Sequence, residues 1–390
     1  MSKQELVKST KQMFVEKFNN LPEVISIAPG RVNLIGEHVD YNDGLAMPSA
    51  IDMYVCVAIS RNNCKKINAY THIFDEFYEQ NITNLAQDKL WHKYLIGSIL
   101  EGLGTEKISL GMDIVIMSNL PLGKGLSSSA AFELSIIEGI VNLFNIKASD
   151  KEIISKCQKV DHDYIGVQSG TLDQSASKLS QKGSILLLDF RDNNFKLVDN
   201  DLSNCKWVLI DSMIKRELAT SKYQERVSEC KKALSAMKEK KPNLSSFRDL
   251  DSNDLKLLTN NPILFKRTKH IIEENLRVLE MQHALKENSP YDVGDLLIRS
   301  HQSLKELYEV SCHEIDFLID VSKDCADWYG GRIMGGGFGG NTINLIKEGK
   351  ELDYVKWISK LYNEKFGVFP DSYLVNFEGG VEIIDNISAV

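Results

Sequence analysis

The segment Gly111–Ala130 restricts the fold of this chain more than any other. Gly111-Met112-Asp113-Ile114-Val115-Ile116-Met117-Ser118 has strand character and runs into Asn119-Leu120-Pro121-Leu122-Gly123-Lys124-Gly125-Leu126-Ser127-Ser128-Ser129-Ala130. A helical pattern follows through Phe132, Leu134, Ile136, Ile137, Ile140, Val141 and Phe144. Strand, glycine loop and helix in that order predict an α/β unit whose helix start can hold an anion. Its first N–H groups are unsatisfied and its dipole is positive there. The glycines let the backbone approach phosphate oxygens, and the serines offer hydroxyls to phosphate or to a hydrated Mg²⁺. Ser127–Ser129 could also cap the helix, but one serine suffices for that, and three after two glycines favour phosphate.

Other nucleotide loops are excluded. Gly123-Lys124-Gly125 does not supply GxxxxGK[ST]. Gly335-Gly336-Gly337-Phe338-Gly339-Gly340 satisfies GxGxxG, yet the Asn341–Ile346 run after it reads as strand. The dinucleotide fingerprint needs a helix there, so a dehydrogenase is excluded.

A second segment, Gly30-Arg31-Val32-Asn33-Leu34-Ile35-Gly36-Glu37-His38-Val39-Asp40-Tyr41-Asn42, places charged and acid–base groups between glycines. Neither a period of 2.0 nor one of 3.6 accommodates Glu37, His38 and Asp40, so the run reads as a loop that meets a small polar molecule. Those three are also metal-ligand types, although the usual ligand spacings are missing.

The net charge of -8 argues against a general nucleic-acid binder. Seven scattered cysteines without a CxxC pair point to a reducing compartment, and the N-terminus lacks a signal-peptide run. No membrane span is expected, and the expected location is cytoplasmic. Helix is predicted over residues 3–19 and around 91–103, and strands around 25–28, 53–59, 184–189 and 205–211. Residues 214–330 read as mostly helical. The shift from strand-rich to helix-rich composition near residue 200 suggests two domains, 1–204 and 205–390.

Three segments stand in order: Pro29–Asn42, Pro121–Ala130 and Gly335–Gly340. Together they resemble the three motifs of the GHMP small-molecule kinases, and the first resembles the galactokinase branch. The resemblance extends over nearly the whole chain in motif order, spacing and length. It implies an α/β (α+β) fold of two domains, with an N-terminal domain like ribosomal protein S5 domain 2 and a ferredoxin-like C-terminal one. It places sugar and ATP binding in 1–204, a GHMP kinase C-terminal domain in 205–390, and the active site in a cleft between them.

The activity implied is transfer of phosphoryl from ATP to the C1 hydroxyl of α-D-galactose, with Mg²⁺ as cofactor, by a monomer without nucleic-acid or membrane partners. A kinase for N-acetylgalactosamine or another sugar C1 is the alternative within the enzyme class. A non-catalytic galactose and ATP sensor is the alternative outside it, disfavoured by the intact serine loop.

Carried over residue by residue, the resemblance makes Asp173, in Gly170-Thr171-Leu172-Asp173-Gln174, the proton acceptor, with Arg31 as its partner. Glu37, His38, Asp40 and Tyr223 become sugar-binding residues. Gly123, Lys124, Gly125, Leu126, Ser127, Ser128 and Ser129 become the ATP loop, and Ser129 and Asp161 the Mg²⁺ site. Trp91–Tyr94 resembles the segment that packs near adenine. From the residues alone, Asp173 could instead cap a helix, and Tyr223 could be a packing residue. The sequence also departs from the family pattern. Asp161 stands where glutamate is usual, Asp43 where glycine is common, and Lys124 where a small residue is usual. Ser169 and Ser175 stand where bulkier or less polar residues are usual.

Overall fold

The computed structural model describes residues 1–104, 110–200, 202–214 and 219–384. The chain forms two compact units. The first comprises Met1–Arg31, Ala50–Lys182 and the chain from Glu378; the second comprises Val32–Ser49 and Gly183–Phe377. The single cut expected at 204/205 therefore differs from what is observed, because the units interleave. Strand Val24–Asn33 leaves the first unit and strand Pro48–Asn62 re-enters it, carrying the Val32–Ser49 excursion between them. Near the C-terminus, Glu382–Ile383 returns to pair with Val24–Asn33. Composition along the chain cannot register such non-local pairing.

In the first unit the sheet runs Glu382–Ile383, Val24–Asn33, Pro48–Asn62, Gly111–Ser118, Lys66–Thr71, Glu76–Asn81. Lys66–Thr71 pairs in parallel with Gly111–Ser118, while Pro48–Asn62 pairs with it antiparallel. The sheet is covered on both faces, which explains why the Gly111–Ser118 alternation is only partial. Leu6, Val7 and Phe14 of helix Lys3–Phe18 pack on Ile25, Ile27, Tyr54, Cys56, Ala58, Val115 and Met117. The intervening Val55, Val57, Ile59, Ile114 and Ile116 are also buried. They point to the other face, where a Cβ at Gly139 of helix Ser128–Leu143 would stand 2.9 Å from Ile59 Cδ1.

The second unit contains a four-stranded antiparallel sheet ordered Trp328–Ile333, Asn341–Lys347, Cys205–Asp211, Ser372–Val375. With helices after its first and third strands in chain order, this is the ferredoxin-like arrangement. Its core joins Val208, Ile210, Ile346, Tyr354 and Ile358. A three-stranded sheet, Leu45–Ala46, Ser184–Asp189, Asn194–Asp199, lies in the same unit. Helix Pro262–Lys286 packs against Ala219–Lys240 and Pro290–Ser303. Gly335–Gly340 connects two antiparallel strands, as its flanking pattern predicted. Among the described residues no helix is long and apolar enough to cross a membrane.

Candidate active site

Arg31 lies within strand Val24–Asn33, so the strand runs further than the predicted 25–28 and the polar loop begins later than Gly30. The missing side chain at Gly30 permits this. A Cβ there would meet Leu126 O at 2.7 Å, and next to it the Arg31 amide donates to Leu126 O at 3.1 Å. The strand is thereby stitched to the glycine–serine loop.

The same loop meets Asp173. Arg31 Nε and Nη2 both donate to Asp173 Oδ1, at 2.7 and 2.6 Å, while Arg31 Nη1 donates to Gly125 O at 2.8 Å. Ser127 Oγ donates to Asp173 Oδ2. Asp173 is in the first turn of helix Leu172–Leu179, whose N-cap is Thr171, so Asp173 is not its cap. Ser127 occupies the N-cap position of Ser128–Leu143 in a left-handed conformation, φ 57°, and its side chain makes no capping bond. The capping explanation for the serines fails at Ser127, and the first-turn N–H groups keep no side-chain acceptor from that residue. Arg31 is buried and Asp173 about a third exposed, so a fixed charge supports a carboxylate that a substrate can reach. Gly123, Lys124, Gly125, Leu126, Ser128 and Ser129 complete the loop and first turn, and Leu126 is buried beneath it.

Asp161 sits in the π-helical turn Val160–Ile165 and is buried. Its Oδ2 accepts from Ser169 Oγ and Gln174 Nε2, both at 2.9 Å. Two departures from the family pattern are thus partners, since the unusual serine holds the shorter acid. Beside Asp161 lies Glu133, fully buried on helix Ser128–Leu143, with neither oxygen in a well-formed hydrogen bond. Burial first, and then the Asp161 charge, pushes Glu133 well above the usual carboxyl range. Burial also raises Asp161, opposed by the Ser169 hydroxyl and reinforced by Asp173. Asp161 and Glu133 offer oxygen ligands of the kind a hard divalent cation such as Mg²⁺ takes, and both Glu133 oxygens lack a well-formed donor; among the described residues, no group of three or more His, Cys, Asp or Glu that could hold a metal ion is gathered. Glu133 was not legible in the sequence, because a glutamate on a helix is mostly exposed and nothing local marks this one as fully buried.

In the second unit, the loop after Asn33 gathers the other expected residues. Glu37 Oε2 lies 2.7 Å from Arg332 Nη1, with Arg332 completely buried. Arg332 also donates to Leu34 O, Asn33 O and Ile333 O, so it ties the loop to strand Trp328–Ile333. His38 has φ +60° and is buried; its Nδ1 is 2.8 Å from Tyr41 Oη, and its Nε2 has no protein partner. Burial, then the nearby His270, Arg226 and Arg332, lowers the His38 pKa to about 3, so the imidazole is neutral at neutral pH. A hydroxyl chain continues from Tyr41 Oη to Tyr308 Oη at 2.9 Å. Tyr223 joins this cluster, its ring centroid 5.5 Å from those of both His38 and Tyr41.

Asp40 opens the one-turn 3-10 helix Asp40–Asn42, which ends at Asp43 in the left-handed region. That conformation accounts for the usual glycine at Asp43, and aspartate is among the few residues that tolerate it. Arg332, Tyr308 and His270 were not legible in the sequence. Arg332 adjoins the glycine-rich loop, which was its only signal. The others lie in the Lys/Glu-rich stretch that reads as solvated helix.

A model described as the galactokinase galactose-binding signature matches residues 12–61, and the GHMP kinases N terminal domain matches residues 93–181. A galactokinase of Thermosipho africanus is 39% identical over 358 residues, covering 91% of this chain and 98% of that protein. The chain belongs to the galactokinase family. A galactokinase of Clostridium acetobutylicum is 34% identical, covering 96% of this chain and 99% of the relative. The crystal structure of Lactococcus lactis galactokinase complexed with galactose matches with TM-score 0.90 and 31% identity, covering 96% of this chain and 99% of that one. Methanococcus jannaschii mevalonate kinase shares the fold of this galactokinase-family chain at TM-score 0.65 and 21% identity, over 91% of this chain and 98% of that one.

Proposed function

We propose that the protein phosphorylates α-D-galactose at the C1 hydroxyl with ATP, giving α-D-galactose 1-phosphate and ADP. The observation that carries this reading is Asp173 held by Arg31 and Ser127 against the glycine–serine loop, in a chain of the galactokinase family. Asp173 accepts the C1 hydroxyl proton as that oxygen attacks the γ-phosphorus. It also orients the hydroxyl, because a loose transition state releases the proton late. Arg31 steadies Asp173 and the charge on the transferring group. The loop Gly123, Lys124, Gly125, Leu126, Ser127, Ser128 and Ser129 holds the phosphates through backbone N–H groups and hydroxyls. Ser129 and Asp161 would hold Mg²⁺, which when bound would neutralise phosphate charge.

Glu37, His38, Asp40 and Tyr223 hold the sugar. The unpartnered Nε2 of neutral His38 supports this, since a sugar hydroxyl satisfies it as donor or acceptor. Carboxylates and an imidazole reject the wrong epimer because it leaves buried polar groups unpaired. The scattered free thiols support a cytoplasmic location, and the protein acts as a monomer.

The test is ADP release from Mg·ATP with galactose, N-acetylgalactosamine, glucose or no sugar. Turnover confined to galactose is expected. Turnover mainly with the amino sugar would move the substrate, and silence despite galactose binding would make this a sensor.

A further inference from the structure

This inference rests on the sugar-kinase reading and concerns what holds the sugar loop in shape. The loop is built from unusual backbone: φ is +86° at Gly36, +60° at His38 and +55° at Asp43. A residue with a Cβ is strained there. It is also tightly closed, since a Cβ on Gly36 would stand 2.3 Å from Leu45 O. Such a turn persists only where its surroundings over-determine it.

Helix Pro262–Lys286 supplies those surroundings. Glu274 Oε1 accepts the Gly36 and Glu37 amides at 3.0 and 3.3 Å. Asn275 Oδ1 accepts the Leu45 amide at 2.7 Å, and His270 Nε2 lies 3.2 Å from Glu37 O. The Glu274 carboxylate is in turn held by Ser300 Oγ and Arg277 Nε, each at 2.8 Å. Glu274 is completely buried. Burial alone would raise its pKa, but the neighbouring Arg277, then His270 and Arg332, and the Ser300 hydroxyl hold it down to about 2.

We propose that Glu274 is the positioning residue of the acceptor site: without touching the sugar, its carboxylate fixes the Gly36–Glu37 turn that presents Glu37, His38 and Asp40. Both of its oxygens are engaged by protein donors, which leaves it no role as a ligand. A buried charge is a poor way to gain stability alone, because apolar replacements often match it. What this one adds is order in the loop before the sugar arrives, so binding does not carry the cost of ordering.

The test is Glu274→Gln, which keeps the shape and removes the charge, assayed well below its melting temperature beside the wild type. A misplaced loop predicts that the galactose KM rises at least about tenfold. The ATP KM stays within about twofold, and the preference for galactose over glucose falls. Ser300→Ala, which removes one donor from the same carboxylate, is expected to raise the galactose KM by a smaller factor and decides the matter if the first variant does not fold. A purely structural role would lower only the active fraction, reducing kcat with both KM values unchanged, and would overturn the proposal. Failure of the wild type to turn over galactose refutes the kinase reading instead. Wild-type turnover with an unchanged galactose KM in both variants refutes only the role of Glu274.

Discussion

The two groups of site residues differ in how their charges are matched. Around the loop after Asn33 in the second unit, charge is matched inside the protein, with Glu37 on Arg332 and Tyr41 on Tyr308, while His38 Nε2 and Asn33 Oδ1 keep no protein partner. Around the phosphate loop in the first unit, Asp173 is partly open, while Glu133 is buried without a well-formed partner. On the proposed assignment, a neutral sugar brings little charge, so the charges of its site are matched by the protein's own pairs. On the same proposal, phosphate and a cation bring several charges, so that site can keep the Glu133 carboxyl unpaired.

The sharpest break in this comparison comes from Asp173→Asn. It keeps the size and removes the base, so kcat should fall by about 10²–10⁴ with the galactose KM little changed. Near-normal turnover in an ADP-release assay would remove both roles given to Asp173. On the sugar side, Arg332→Met leaves Glu37 as an uncompensated buried charge. The expected loss is about 3–5 kcal/mol of stability, read by chemical denaturation. A loss below about 1 kcal/mol would mean that the Glu37 ion pair is not the organising contact.

Acid should separate the two regions further. The folded-state pKa values of His38 and His270 lie at about 3 and about 4, against an ordinary 6.5, in both cases chiefly through burial. The stability they contribute is therefore complete above about pH 6.5 and lost progressively as pH falls towards those values. Glu133 has the opposite sign. Its raised pKa contributes stability below the ordinary 4.5 that is lost as pH rises towards the folded value. Melting temperatures across pH 4–8 should show His270→Asn flattening the acid limb and Glu133→Gln flattening the other. Identical profiles for wild type and both variants would erase the contrast. The smallest effect is expected from Ser127→Ala, which removes one hydroxyl from Asp173. A charge-assisted bond of this kind is worth about 1.5–3 kcal/mol, so kcat should drop by roughly ten- to a hundredfold with no change in the galactose KM.

Much of the phosphate region was legible because its parts depend on local order. A strand, two glycines, three serines and a helix determine a loop wherever they occur in succession. The sugar loop was legible only as a polar run too irregular for either period. Its extent was misjudged at Arg31, where strand pairing and the bare Gly30 override the appearance of a turn.

The sequence by itself determined the α/β class, the glycine–serine loop, the exclusion of the dinucleotide fold and the residues that the family motifs carry. These are short-range patterns, and the chain spells them out in order. Tertiary structure alone decided that Arg31 grips Asp173 across 142 residues, that Arg332 meets Glu37, and that Glu274 receives the Gly36 amide across 238. It also decided that the units interleave. Those contacts arise when distant segments bury polar groups together and each must find a partner away from water, a condition that no window of sequence contains.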